Sequence, residues 1–169
     1  VPEDRAHQGL IRPQSIEENI ALANLGRLTR GLFMDPGKIT AEARNAIARF
    51  AIRARGPQQL VRQLSGGNQQ KVVLGKWLAT NPRILIMDEP TRGIDVGAKA
   101  EIHQLMRRLA GEGMAILMIS SELPEVLGMS DRVLVMNGGR IVGEFGGKDA
   151  TAEAVGTVMT RSFARERAA

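Results

Sequence analysis

Apolar and polar positions follow two periods along this chain, and the change from one to the other divides it. The run Gln14-Ser15-Ile16-Glu17-Glu18-Asn19-Ile20 opens a helix: Ser15 and Glu18 form a capping box, and Ile16, Ile20 and Leu22 or Ala23 give it an apolar side. A loop is predicted from Gly31 to Gly37, broken by Pro36, and a second helix from Ala41 to Ala54 after Thr40. Ser65 to Leu78 has helical spacing again, with Leu74, Trp77 and Leu78 expected in the core, and it stops at Asn81-Pro82. The period then changes. Ile84 to Met87 has the length and composition of a fully buried strand. A helix from Val96 to Ala110 ends near Gly111, and Ala115 to Ser120 is a second apolar strand. Val133–Met136 and Arg140–Phe145 read as short strands around the turn Asn137-Gly138-Gly139. Residues 149–165 suggest a final helix, capped near Asp149 or Thr151. The fold class is therefore α/β, with a helical segment first and a hairpin and helix last.

Composition narrows this picture without redirecting it. The 169 residues suffice for one domain with a sizeable core, and 43% hydrophobic with 24% charged residues reads as globular and soluble. No apolar run approaches the roughly 20 residues of a membrane helix, and Val1-Pro2-Glu3-Asp4 lacks the basic start and apolar core of a signal peptide. There is no cysteine, hence no disulfide and no thiolate metal site, which fits a reducing compartment. His7 and His103 are isolated from each other, so neither suggests a metal. A formal charge of +5 does not indicate a nucleic-acid partner: the basic residues are scattered, and 3% aromatics leave no stacking platform. The run Arg161–Arg167 reads as a solvated terminus.

The chemistry is concentrated between Leu64 and Ala100. Gly66 and Gly67 have no Cβ, so their backbone can approach an anion closely. Ser65 is a good N-cap, and the helix it opens presents free N–H groups and a positive dipole end, a site suited to phosphate. An ordinary cap and turn would also account for these three residues alone. Asp88-Glu89 follows the apolar strand, at the sheet edge where open α/β folds bind ligands. Asp88 suits a Mg²⁺ position, directly or through water, and Glu89 a general base or water-orienting group. Solvated acids at a strand end are the plainer alternative, but they leave Ser65-Gly66-Gly67 unexplained. Gly37-Lys38 is not a phosphate loop, because Leu32 stands where the first glycine of G-x-x-x-x-G-K-[ST] belongs and Ile39 where the hydroxyl belongs.

At these residues the sequence resembles the ATP-binding cassette ATPases. Leu64 to Gln69 is similar to their signature loop, Ile84 to Glu89 to Walker B with the catalytic glutamate, and Thr91-Arg92-Gly93-Ile94-Asp95 to the D-loop. Asn68-Gln69-Gln70-Lys71-Val72, the run Thr91 to Lys99 and Ser120-Ser121-Glu122-Leu123-Pro124-Glu125-Val126 resemble the second cassette of bacterial monosaccharide importers, from Val1 to about Phe145. The resemblance implies a partial RecA-like P-loop NTPase core, with the first strands and Walker A lying upstream of Val1. It divides the chain into 1–64 (Q-loop edge and helical subdomain), 65–148 (signature helix, Walker B, D-loop and switch) and 149–169 (C-terminal helix and tail).

The same resemblance implies ATP and Mg²⁺ as ligands. Nucleotide contacts fall on Glu3, Ser65, Gly66, Gly67, Gln69 and Asp95, Mg²⁺ on Asp88, and catalytic positions on Glu89 and Ser121. Two of these depart from the family pattern. Glu3 stands where the Q-loop has an amide donor, and Ser121 where the family carries a histidine that senses the γ-phosphate; a hydroxyl cannot supply a positive charge. A plain surface glutamate would equally explain Glu3. The implied partners are a second cassette, membrane permease subunits contacted through the helical subdomain, and, indirectly, a periplasmic sugar-binding protein. The implied location is the cytoplasmic face of the inner membrane. Two rivals are a non-transport cassette ATPase of DNA repair or translation, and an interaction module without catalysis. Long coiled coils and Cys-rich zinc modules, usual in the repair types, are not found in the sequence.

Overall fold

The computed structural model describes residues 1–147 and 149–166. In chain order the elements are α1 (Ile16–Ala21), β1 (Thr29–Arg30), β2 (Phe33–Met34), α2 (Pro36–Arg49), α3 (Gly66–Leu78), β3 (Ile84–Asp88), α4 (Val96–Gly111), β4 (Ala115–Ile119), α5 (Leu123–Met129), β5 (Arg132–Asn137), β6 (Arg140–Gly146) and α6 (Ala152–Glu166). They form two compact units, Val1–Ile119 and Ser120–Ala169. Within the first unit, α1 and α2 pack directly on α3.

In the first unit, α3 is the hub: α1, α2, α4 and a single π-turn at Arg5–Gly9 all contact it. Val72, Val73 and Leu74 are fully buried on it. The capping box of α1 is complete, with the Ser15 amide donating to Glu18 Oε2 at 2.7 Å and the Glu18 amide to Ser15 Oγ at 3.2 Å. β3 and β4 pair in parallel, Ile84 opposite Ala115 through Asp88 opposite Ile119. Val1 extends this ladder on the other edge: its N–H donates to Ile86 O at 2.8 Å and its carbonyl accepts from the Asp88 amide at 3.0 Å, the slanted pattern of a parallel pair.

Three expectations are corrected here. Strand β3 is buried on one face only: Leu85 and Met87 are inside, while Ile84 is 66% and Ile86 53% exposed, in line with exposed Leu117 and Ile119 of β4. Helix α2 starts at Pro36, not Ala41, and ends at Arg49 rather than Ala54. Asp35 caps it by accepting from the Gly37 and Lys38 amides at 2.9 and 3.2 Å, with Pro36 in the first turn. Gly37-Lys38 is thus the first turn of a helix, and β2, paired with β1, lies within the predicted loop. Trp77 is 38% exposed, with Lys76 Nζ 5.0 Å from its ring centre, whereas Leu74 and Leu78 are buried as expected.

The second unit is the antiparallel hairpin β5–β6 with α5 and α6. Gly138 and Gly139 both have positive φ, 55° and 74°, as a two-residue hairpin turn of this hand requires. Val133, Val135 and Val155 form its core, with Leu123, Val126 and Val158 packed against them. Thr151 caps α6, accepting from the Ala154 amide at 3.1 Å. The side chains of the Arg161–Arg167 run lie outside the described residues. Among the described residues no helix is long and apolar enough to cross a membrane.

Candidate functional site

Most of the site residues read from the sequence lie in the first unit, and the geometry at the starts of α3 and α4 follows from how each helix begins. Ser65 occupies the N-cap position of α3 with extended backbone, φ −62° and ψ 159°, yet its hydroxyl makes no cap bond. It accepts instead from Asn68 Nδ2 at 2.9 Å, while Asn68 Oδ1 accepts from the Arg53 amide at 2.8 Å. The first-turn N–H groups are therefore left uncapped by the serine, which is the condition for binding an anion there. Asp95 does cap its helix: its carboxylate accepts from the Ala98 amide at 2.9 Å at the start of α4.

The starts of α3 and α4 face each other across a cleft of about 140 Å³, lined by Ser65, Gly67, Asn68, Asp95, Arg53 and Glu101, among others. The structure thus brings together Ser65, Gly67 and Asp95. It adds Arg53 and Glu101, which no motif singled out. Both belong to a charge network: Glu101 accepts from the buried Lys71 Nζ at 2.6 Å and from Arg53 at 2.9 Å. The Lys71 hydrogen bond, first of all, holds the Glu101 carboxyl below its ordinary range.

The two glycines have packing reasons to lack a side chain. A Cβ on Gly67 would collide with Ala98 Cβ, so α3 and α4 approach closely there. A Cβ on Gly66 would meet Arg5 Nη2 at 2.8 Å. Replacing Gly67 with alanine is expected to destabilise the chain by about 1–3 kcal/mol, since Ala98, with its Cβ fixed to the α4 backbone, has no flexible side-chain end to move aside. Urea denaturation checks this, and Ala98→Gly in the same chain is expected to recover part of the loss; no loss from Gly67→Ala would refute the tight crossing.

Gln69 is oriented inward. It is 8% exposed, and its Nε2 donates to Leu64 O at 3.0 Å and Val61 O at 3.3 Å. Its amide holds the segment before α3 in place. Glu3 is ion-paired with Arg92, so its charge is offset by the turn that follows β3.

Asp88 ends β3, and the half-buried Glu89 follows it with φ +46°, a left-handed conformation costing about 1–2 kcal/mol for a residue with a Cβ. The Glu89 amide donates to Ile119 O at 2.9 Å, and its carbonyl accepts from the Arg92 amide at 3.1 Å. These bonds and the fully buried Pro90 hold the strained turn. Two adjacent, half-buried carboxyl groups at a strand's carboxyl edge suit a hard cation that keeps several waters and takes one or two carboxylates, as Mg²⁺ does. Among the described residues no three His, Cys, Asp or Glu side chains converge. Ser121 is exposed in the bend before α5 and belongs to the second unit.

A family model described as "ABC transporter" matches residues 4–92, more than half of the chain. The chain belongs to the ABC transporter family. Its fold agrees: a structure of the ATP-binding cassette MJ0796, dimeric, post-hydrolysis and bound to ADP and Pi, superposes with a TM-score of 0.68 at 25% identity, over 82% of this chain and 59% of that one. As an ABC transporter chain it is 57% identical to ribose import ATP-binding protein RbsA 1 of Rubrobacter xylanophilus, over 92% of its own length and 31% of that protein's. It is 58% identical to ribose import ATP-binding protein RbsA 1 of Streptomyces avermitilis, over 92% and 30%. The chain thus spans about a third of the length of the curated relatives it matches.

Proposed function

We propose that this chain is part of the ATPase of a sugar importer and that its main contribution is the start of α3. The carrying observation is the 57–58% identity, across 92% of this chain, to proteins named for ribose import. Ser65, Gly66 and Gly67 act on ATP held by a second cassette, which places their uncapped amides against its phosphates. Asp88 and Glu89 serve the nucleotide of their own cassette, with Asp88 holding Mg²⁺. That ion supplies charge neutralisation on the phosphates when bound. Glu89, fixed by its strained turn, orients the attacking water or accepts its proton. Glu3 engaged with Arg92, and serine at position 121, leave this second site short of the family's amide and imidazole.

In this reading the second cassette sits on the same parent chain, and closure of the pair drives permease subunits that receive sugar from a periplasmic binding protein. The assembly lies at the cytoplasmic face of the inner membrane. The sugar is chosen by those partners, not by residues 1–169.

The sequence contains no G-x-x-x-x-G-K-[ST], so the lysine that grips the β- and γ-phosphates is not among these residues. Calorimetric titration of the chain with ATP and Mg²⁺, with Glu89→Gln alongside, is therefore expected to show no binding at millimolar nucleotide. Tight binding with turnover would refute the assignment of the phosphate grip to another segment.

A further inference from the structure

Arg5 lies outside the signature, Walker B and D-loop motifs, yet two of them, the turn 91–95 and the start of α3, meet at its guanidinium. Nη1 donates to Arg92 O at 2.7 Å and Nη2 to Gly93 O at 2.9 Å. The two carbonyls are consecutive, and Gly93, at φ +65°, lies in the same turn. Nη2 also lies against the start of α3, where only a glycine at position 66 leaves it room. Two residues earlier, Glu3 pairs with the side chain of Arg92. The third kind of donor on the group, Nε, is buried without an acceptor among the described residues. Arg5 is thus fixed by the fork of its two Nη atoms.

The other end of the Arg5–Gly9 turn is fixed to the same helix. The buried Lys76 of α3 donates to Gly9 O at 2.7 Å, and a Cβ on Gly9 would meet Val73 at 3.0 Å. Residues 3–9 therefore form a strap, seated on α3 at one end and clasping the turn 91–95 at the other. A planar fork can hold two neighbouring carbonyls at once; a lysine ammonium on one flexible stem has no such pre-set pair of donors.

We propose that Arg5 is a positioning residue: its guanidinium locks the turn after Glu89 to the start of α3, so that the two loops shift as one body. The consequence for catalysis rests on the function proposed above, in which these loops face a nucleotide held by the second cassette. There, a misplacement of about 1 Å is enough to slow a reaction about 10²-fold. The clamp itself does not depend on that reading.

Hydrogen exchange followed by NMR on this chain, without nucleotide, tests it. The reporters are the Arg92 amide, bonded to Glu89 O, and the Gln69 amide, bonded to Ser65 O. Arg5→Met, which retains an unbranched apolar stem, is expected to speed exchange at both about tenfold, the effect of losing charge-assisted hydrogen bonds in a local opening. Arg5→Lys, which keeps the charge and its donors on a single nitrogen, is expected to fall between, while the middle of α4 and β3 are unchanged. A change under about twofold in Arg5→Met overturns the clamp. So does acceleration spread evenly through α4 and β3, which marks Arg5 as a packing residue only. In the assembled ATPase the same order, Arg above Lys above Met, is expected in kcat with KM for ATP unchanged; a change confined to KM overturns the positioning role.

Discussion

Leu74→Ala is expected to remove about 2–5 kcal/mol, the range for deleting a fully buried leucine and leaving a cavity. Leu74 is fully buried in the middle of α3, the helix that contacts α1, α2, α4 and the Arg5–Gly9 turn. Few of these neighbours can relax into the space, because α3 is tied on several sides. Lys71 donates to Ala51 O at 3.0 Å, Lys76 to Gly9 O at 2.7 Å, and Gly67 abuts Ala98. A loss of this size is a large fraction of the roughly 5–15 kcal/mol available to a domain. Trp77, the one tryptophan of the chain, lies on the same helix and reports its unfolding by fluorescence. Urea titration then gives the midpoint, with an unchanged slope showing that stability alone was affected. A loss below about 1 kcal/mol would mean that α3 is not the hub of the first unit.

The largest functional effect is expected from Ser65→Arg. In the assembled ATPase this substitution is predicted to lower hydrolysis about 10²-fold or more, the scale of losing one pre-aligned donor to a charged transition state. Ser65 is exposed at the cleft between α3 and α4, its hydroxyl steadied by Asn68 at 2.9 Å. An arginine side chain there fills the approach to the uncapped amides. Glu89→Gln is predicted to have the smaller effect, because in the proposed reading its site carries Glu3 and Ser121 in place of the family's amide and imidazole. Comparing initial rates of the two variants decides between the sites. If Ser65→Arg leaves hydrolysis intact, or if Glu89→Gln costs more, the start of α3 is not the chain's main contribution.

The importance of Arg5 connects these results. Ser65 and Asp95 are far apart in sequence, but they share a cleft where α3 and α4 cross at Gly67 and Ala98, and in the proposed clamp Arg5 ties the turn before Asp95 to the start of α3. A substitution in the strap of residues 3–9 is therefore expected to act on both loops without touching either.

What the sequence by itself determined was local. The capping box of α1, the span of α3, the hairpin turn at Gly138-Gly139 and the carboxylates at the end of β3 rest on short-range rules: a cap bonds within three residues, and a two-residue turn needs positive φ. The start of α2 belonged to the same class, since Asp35-Pro36 is a cap followed by a first-turn proline, but Gly37 masked it as a loop. What only the tertiary structure decided was which partner each side chain meets. Nothing in the motif around Ser65 shows that Gln69 bonds back to Leu64, that the serine hydroxyl turns to Asn68, or that Gly67 lacks a side chain because Ala98 is there. Strand β3 shows the same limit, because four apolar residues in a row state that they can be buried on both faces and not what covers each. Arg5 is the extreme case. Its partners lie 87 and 88 residues further along the chain, and its acceptors are backbone carbonyls, a feature every residue shares and no sequence pattern marks.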